Sequence, residues 1–307
     1  MHKKPYRDLN TYFRTRFGCR VHKVTVDAGL NCPNRDGTLS TGGCIYCNAK
    51  GSGTGAHRHG VPITRQIERS KDRIARRFKT NQIMPYFQAF TNTYAPVKQL
   101  KAMYDEALAV KNVVGLAIGT RPDCVDTAVL DLLENYTRSH LIWIEYGLQS
   151  AHDHTLSRIN RGHDFACFER AVSATRNRNI NICAHVILGL PGESRQDMLE
   201  TADAVAAMGI EGIKLHLLYV VRGTPMETLY RDGRYRCLEQ REYAELVCSF
   251  IERLPETMII QRLTGDPHPK ELVAPAWALE KKETMDLIRH IFKEKDTWQG
   301  KKFAQPL

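Results

Sequence analysis

Between Asn31 and Asn48 the chain reads CPNRDGTLSTGGCIYC, which places Cys32, Cys44 and Cys47 in one glycine-rich loop with the spacing C-x11-C-x2-C. A structural zinc site is normally closed by four protein ligands, and a [4Fe–4S] cluster kept for electron transfer takes four thiolates. Three cysteines hold such a cluster while leaving one iron open to a ligand from outside the chain. Gly37, Gly42 and Gly43 let the backbone curl round a metal, and Tyr46 puts an aromatic ring between the last two ligands. On spacing alone two other chemistries stay open. One is a zinc knuckle completed by His57 or His59, the other a redox dithiol in the CxxC pair.

The elements that must position this loop follow from apolar runs. Strand-like segments are predicted at Val21 to Ala28, Pro85 to Phe90, Val113 to Thr120, Leu141 to Leu148, Asn181 to Gly189 and Gly212 to Val221. Between them lie helix-like stretches at Thr64 to Lys79, Val97 to Lys111, Val125 to Arg138, Phe165 to Arg178 and Arg195 to Met208. Each is long enough to cross over a parallel sheet. Six strands alternating with helices predict an α/β fold, a β/α barrel or part of one, over residues 21–225 after an N-terminal helical segment at 1–20. After about Thr224 the rhythm breaks. A helix near Gln240 to Leu254, a strand-like run from Thr257 to Thr264 and a basic helical tail predict a small α+β extension over 226–307 that caps the barrel.

In such barrels chemistry gathers at the C-terminal ends of the strands. The cysteine loop follows the first strand, TNT (Thr91 to Thr93) the second, TRPD (Thr120 to Asp123) the third, GLQS (Gly147 to Ser150) the fourth and GLPGE (Gly189 to Glu193) the fifth. KLH, from Lys214 to His216, lies within the sixth, which RGT, Arg222 to Thr224, closes. A helix-entry turn explains GLPGE alone and a cap explains TRPD alone, but together they repeat one position around one mouth.

Composition narrows the partners. The chain has 44 basic and 34 acidic residues, a formal net charge of +10, which favours an anionic partner. Seven basic and two acidic side chains lie between Arg65 and Lys79, with Arg65, Arg69, Arg73 and Arg77 four apart along one helix face. Further basic clusters are Lys3, Lys4, Arg7, Arg14 and Arg16, and Lys293, Lys295, Lys301 and Lys302. A solvated helix face is the plain alternative to a nucleic-acid surface. No apolar run approaches the roughly 18 residues that span a bilayer, and the N-terminus lacks a signal-peptide core, so no membrane association and a cytoplasmic location are expected. Cys19, Cys124, Cys167, Cys183, Cys237 and Cys248 are scattered singly and read as core packing.

The three-cysteine loop, GLPGE and SRINRGH (Ser157 to His163) resemble the radical SAM superfamily. LAIGTRPDC (Leu116 to Cys124), IEYGLQS (Ile144 to Ser150), NRGH, GIKLHLLYVVRGT (Gly212 to Thr224) and IIQR (Ile259 to Arg262) look more closely like the radical SAM half of the Elongator catalytic subunit, which modifies the wobble uridine of tRNA. CPNRDGT, GTRPDC and RINRGHDFAC resemble the bacterial YhcC-like family along the whole chain. The resemblance implies a partial (β/α)6 radical SAM barrel. It also implies a [4Fe–4S] cluster on Cys32, Cys44 and Cys47 and S-adenosylmethionine (SAM) on the open iron, cleaved to a 5′-deoxyadenosyl radical. A cellular electron donor of flavodoxin or ferredoxin type is then needed. Gln149 and Arg161 match residues that contact SAM in related enzymes, His185 stands where others have a ribose-binding aspartate, and Tyr46 lies beside the cluster. Lys214, taken to face the mouth, and His216 are the candidate catalytic residues, Lys214 to hold a substrate carboxylate or phosphate.

The sequence also departs from the family pattern. Gln88, Ala89, Phe90 and Thr91 replace the GGE-type motif, so Thr91 or Asn92 is expected to take the SAM amino group. Gly119 replaces a glutamate, and His216 a tyrosine of the Elongator subunit. The chain stops soon after IIQR, which disfavours carboxymethylation from acetyl-CoA, and the flanking domains of methylthiotransferases are not present. The expectation is a radical SAM enzyme acting on the C5 substituent of a wobble uridine. The alternatives are the same chemistry on a small molecule or peptide, and a non-catalytic Fe–S protein that binds RNA.

Overall fold

The computed structural model describes residues 4–304 apart from 52–54, 79 and 81. The chain runs α1 (Leu9–Phe17), β1 (His22–Val26), α2 (Ile63–Phe78), β2 (Ile83–Phe87), α3 (Val97–Leu108), β3 (Gly115–Thr120), α4 (Thr127–Thr137), β4 (Leu141–Gln149), α5 (Asp153–Arg158), α6 (Phe165–Thr175), β5 (Asn181–Leu188), α7 (Arg195–Ala207) and β6 (Gly212–Leu217). There follow β7 (Val220–Val221), α8 (Pro225–Arg231), α9 (Gln240–Ile251), β8 (Ile259–Arg262), β9 (Leu272–Ala274) and α10 (Lys281–Glu294). The main sheet is parallel throughout, in the order β1-β2-β3-β4-β5-β6-β8. It is an open, partial barrel: β1 and β8 are its two edges.

The structure corrects two expectations. The run Thr257–Thr264 is expected in the extension, yet β8 pairs with β6 and becomes a seventh strand of the barrel sheet. Its paired residues are mostly apolar, and they satisfy backbone groups that β6 would otherwise leave as a buried edge. The run Gly212–Val221 is expected as one strand. It breaks after Leu217: the Leu218 N–H makes the last bond to β5, at the Leu188 carbonyl, and β7 joins β9 in a separate antiparallel pair.

Period-2 alternation explains how one strand serves two environments. In β4, Ile142, Ile144, Tyr146 and Leu148 face the helices, in a core shared with Ile67, Leu100, Tyr104, Leu133, Phe168 and Val172. Trp143, Glu145, Gly147 and Gln149 take the opposite face and line the barrel interior. At the bottom that interior is apolar, where Phe13 of α1 meets Met84, Ala117, Trp143, Cys183 and Ile259. Higher up it turns polar. The helices enter cleanly from the strand ends: Asp126 caps α4, Asp164 caps α6, and Ser194 with Asp197 forms a capping box on α7. Of the six cysteines read as packing, Cys183, Cys237 and Cys248 are buried and Cys19, Cys124 and Cys167 half-buried; none is in a disulfide.

Candidate active site

The C-terminal ends of the strands surround a cavity of about 520 Å³. Cys32, Cys44 and Cys47 line one wall, and Tyr46, Thr91, Gln149, Arg161, His185 and His216 also face it. The cysteine loop has little regular structure, so other segments must hold it. Asn34 Nδ2 donates to the Asn160 carbonyl at 2.6 Å, Asn160 Nδ2 donates to the Gly43 carbonyl at 2.7 Å, and the Ile45 N–H reaches the Ile159 carbonyl at 3.1 Å. The RINRGH stretch is thus the brace of the loop. Arg121 supports the brace from behind: its guanidinium is bidentate on Asp123 (2.8 and 2.7 Å) and donates to the Arg161 carbonyl at 2.9 Å. The ends of β4 and β5 also meet, through Ser150 Oγ donating to Glu193 at 2.5 Å.

The donor set suits a cluster with thiolate ligands. All three thiols are free, and Cys44 Sγ receives Asn34 Nδ2 and Arg161 Nη1, each at 3.6 Å. A hydrogen bond from Cys47 and the Arg161 charge hold the Cys44 thiol well below its usual range against the opposing effect of burial. The zinc alternative fits poorly. Two groups of His, Cys, Asp or Glu among the described residues bring their ligand atoms within 4.8 Å of one another, and neither contains these cysteines. Sulfurs on a single tetrahedral zinc stand about 3.8 Å apart, from a Zn–S bond of about 2.3 Å. Neither His57 nor His59 lines the cavity.

Two features mark the cavity as a ligand site. Gln149 holds φ +82° at a bulge in β4, and Phe90 holds φ +61°; both are left-handed backbone that side chains disfavour. Thr91 Oγ1 is buried and has no hydrogen-bond partner among the described residues. Asn92 is held by its Nδ2, which donates to the Ala89 and Gly119 carbonyls, both at 2.9 Å. Its Oδ1 is, like Thr91 Oγ1, buried and without a partner among the described residues, so both residues of the pair expected to meet an amino group keep an acceptor free.

Lys214 does not face the mouth as expected. It does not line this cavity, and its ammonium is buried in the barrel interior, 2.5 Å from Glu145 Oε2 and 3.8 Å from the Tyr86 ring centroid. Sequence reasoning missed Glu145, which is fully buried and accepts from Lys23, from Lys214 and from His185 Nε2 at 2.8 Å. Burial opposes this carboxylate, but Lys214, Lys23 and His185 outweigh it and hold its pKa well below the usual range. Lys214 itself is lowered to about 7, because burial exceeds the help it draws from a carboxylate shared with Lys23. His185 is lowered to about 4 and His216 well below its normal value, both by burial first, so both imidazoles are neutral near pH 7. The signal available in sequence was the alternation itself: Glu145, His185 and Lys214 each occupy an inward position of a strand.

Known proteins match this chain along most of its length. The radical SAM superfamily matches residues 34–205, and the radical SAM C-terminal domain matches 210–294. The chain belongs to the radical SAM superfamily. Its cofactors are accordingly a [4Fe–4S] cluster and SAM. The uncharacterized protein YtqA of Bacillus subtilis is 42% identical over 303 residues, 99% of this chain and 94% of YtqA. Protein YhcC of Escherichia coli K12 is 42% identical over 263 residues, 85% of this chain and 84% of YhcC. Human Elongator complex protein 3 is 27% identical over 179 residues, 57% of this chain but 31% of that protein. The structure of archaeal Elp3 from Methanocaldococcus infernus superposes with a TM-score of 0.69 at 15% identity, over 91% of this chain and 64% of that one. Among the described residues no helix is long and apolar enough to cross a membrane.

Proposed function

We propose that this radical SAM enzyme modifies a tRNA nucleoside, at the C5 substituent of a wobble uridine. The observation that carries the substrate class is the basic face of α2. Arg65, Arg69, Arg73 and Arg76 lie along it, and Gln66 ties its first turn to the Asp27 and Val61 carbonyls just below the cysteine loop. The arginine row is exposed on the outside of the barrel, on the helix that follows β1 and the cysteine loop. The side chain of Arg77, Lys3 and Lys79 lie outside the described residues. The sequence kinship with Elongator complex protein 3 points the same way.

Cys32, Cys44 and Cys47 hold the cluster in this reading, and Thr91, Gln149, Arg161, Tyr46 and His185 hold SAM. When bound, these cofactors supply a 5′-deoxyadenosyl radical. Arg161 presents a guanidinium to a carboxylate, and Thr91 Oγ1 accepts from an ammonium. Phe90, Ile187, Leu217 and Leu218 give the cavity apolar walls that exclude water. His216, neutral and with Nε2 unpartnered among the described residues, is left to bind a polar atom of the substrate. A cellular one-electron donor of flavodoxin or ferredoxin type completes the system.

The test is nucleoside mass spectrometry of bulk tRNA from a strain lacking this protein, against its parent. Loss of one modified uridine with build-up of its precursor is expected. An unchanged profile removes tRNA as the substrate and leaves the family assignment intact.

A further inference from the structure

The gap between the sheet edges β1 and β8 is spanned by the N-terminal segment, where the Ile260 N–H donates to the Arg7 carbonyl at 2.8 Å. Beneath it lies a second cavity of about 420 Å³. Thr25, Tyr86, Gln88 and Arg262 line both this cavity and the one beside the cysteines, so the two share walls through the barrel interior.

The charges around the second cavity do not balance. Arg20, Lys23, Lys214 and Arg262 line it, and Asp8 is the acid among its lining residues. Asp8 is engaged by Lys4. Behind the wall, Glu145 serves Lys23, Lys214 and His185 at once. The half-buried Arg262 side chain has no ion-pair or hydrogen-bond partner among the described residues. Gln261 Oε1 accepts from Lys23 Nζ at 2.7 Å, which fixes the amide so that Nε2 faces away, buried and without a partner among the described residues. Both residues reach the interior because β8 bulges there: Ile213 pairs with Ile260 and Lys214 with Arg262, leaving Gln261 as the extra residue. A guanidinium free of protein acceptors, beside a buried amide N–H without a partner and two ammonium groups, suits an anion with several oxygens.

We infer that the barrel interior between β1 and β8 binds a carboxylate or phosphate group, with Arg262 as its main ligand and Gln261 Nε2 and Lys214 beside it. The inference deepens the proposed function, because it assigns the molecule transformed in the adjoining cavity an anionic group that reaches inward past Tyr86. It rests on that reading only for the identity of the molecule, not for the site.

The test is calorimetric titration of the cluster-loaded protein with acetate and with inorganic phosphate, at constant ionic strength and without nucleic acid. Wild type should bind at least one of them, and Arg262→Met should weaken that binding by roughly tenfold or more, as expected for loss of a charge-assisted bidentate contact. Arg262→Lys should recover part of it. Tighter acetate binding identifies a carboxylate, and tighter phosphate binding a phosphate ester. No binding by wild type, or equal binding by wild type and Arg262→Met, overturns the inference. If Arg262→Met does not fold, wild-type crystals soaked in selenate decide. An anomalous peak beside Arg262 supports the site, and its absence there rejects it. Neither probe is a nucleoside, so failure here leaves the tRNA reading standing, and an unchanged tRNA profile leaves this site standing.

Discussion

Replacing Glu145 by Gln removes one negative charge that three cationic or hydrogen-bonding groups share inside the barrel. The side chain keeps its shape, so the effect reports charge rather than packing. Breaking a buried ion pair from one side costs about 3–5 kcal/mol, because the partner charges stay buried without compensation. With about 2.1 cal/mol/K of unfolding entropy per residue over 307 residues, that corresponds to a drop in Tm of about 5–8 °C. The loss should depend on pH in a defined direction. Lys214 has a folded pKa of about 7, so above that pH the wild-type pair is already reduced to Glu145 with Lys23. Below it, Lys214 is charged and depends on Glu145 as well. The Glu145→Gln deficit should therefore be larger at pH 6 than at pH 8.5. The assay is thermal unfolding followed by circular dichroism at both pH values, with Lys214→Met and the double variant completing a cycle. The double variant should lose less than the two singles together, since the ammonium that Glu145 compensated is gone. A Tm within about 1 °C of wild type at pH 6 would refute the idea that this carboxylate organises the interior.

Three further outcomes are expected. Unfolded Lys214 keeps its proton to about pH 10.4, whereas the folded chain releases it near 7, so the unfolded state binds more protons between those values and stability contributed by this group rises with pH. Urea denaturation at pH 7, 8 and 9 should show wild type gaining on Lys214→Met across that window, and parallel curves would dismiss the assignment. Changing Arg65, Arg69 and Arg73 together to Gln should weaken tRNA binding and flatten its salt dependence by about 2–3 in log–log slope, at about 0.7–0.9 for each phosphate no longer neutralised; an unaltered slope would take α2 off the RNA surface. Gly162 has φ +76°, and a Cβ there would sit 2.9 Å from Asn34 Oδ1. Gly162→Ala should thus cost about 1–3 kcal/mol and shift Asn34 from the Asn160 carbonyl that braces its loop, read as lower iron content per chain and weaker absorbance near 400 nm. Wild-type iron content would mean the brace is not needed to hold the loop.

The sequence by itself determined the chemistry-bearing loop and the order of the barrel. Cys32, Cys44 and Cys47 are close in the chain, so their spacing carries their chemistry without any tertiary information. The helices and the first six strands are also local signals, because apolar periodicity over ten or so residues is enough to specify each. The cysteine loop, TNT, TRPD and GLQS converge at one mouth by topology, and Thr91, Gln149, Arg161, His185 and His216 line it, whereas GLPGE and RGT do not. Tertiary structure decided everything that depends on which distant side chains share a low-dielectric space. Lys214 reads in sequence as a free cation, and only the fold puts Glu145, 69 positions away, against its ammonium. Ile259–Arg262 reads as an isolated strand, and only the open edge of β6 recruits it to the barrel. The bulge that turns both Gln261 and Arg262 inward has no signature in the run IIQR. Charge compensation is a sum over neighbours, and neighbours in this interior come from β1, β4, β5, β6 and β8 at once.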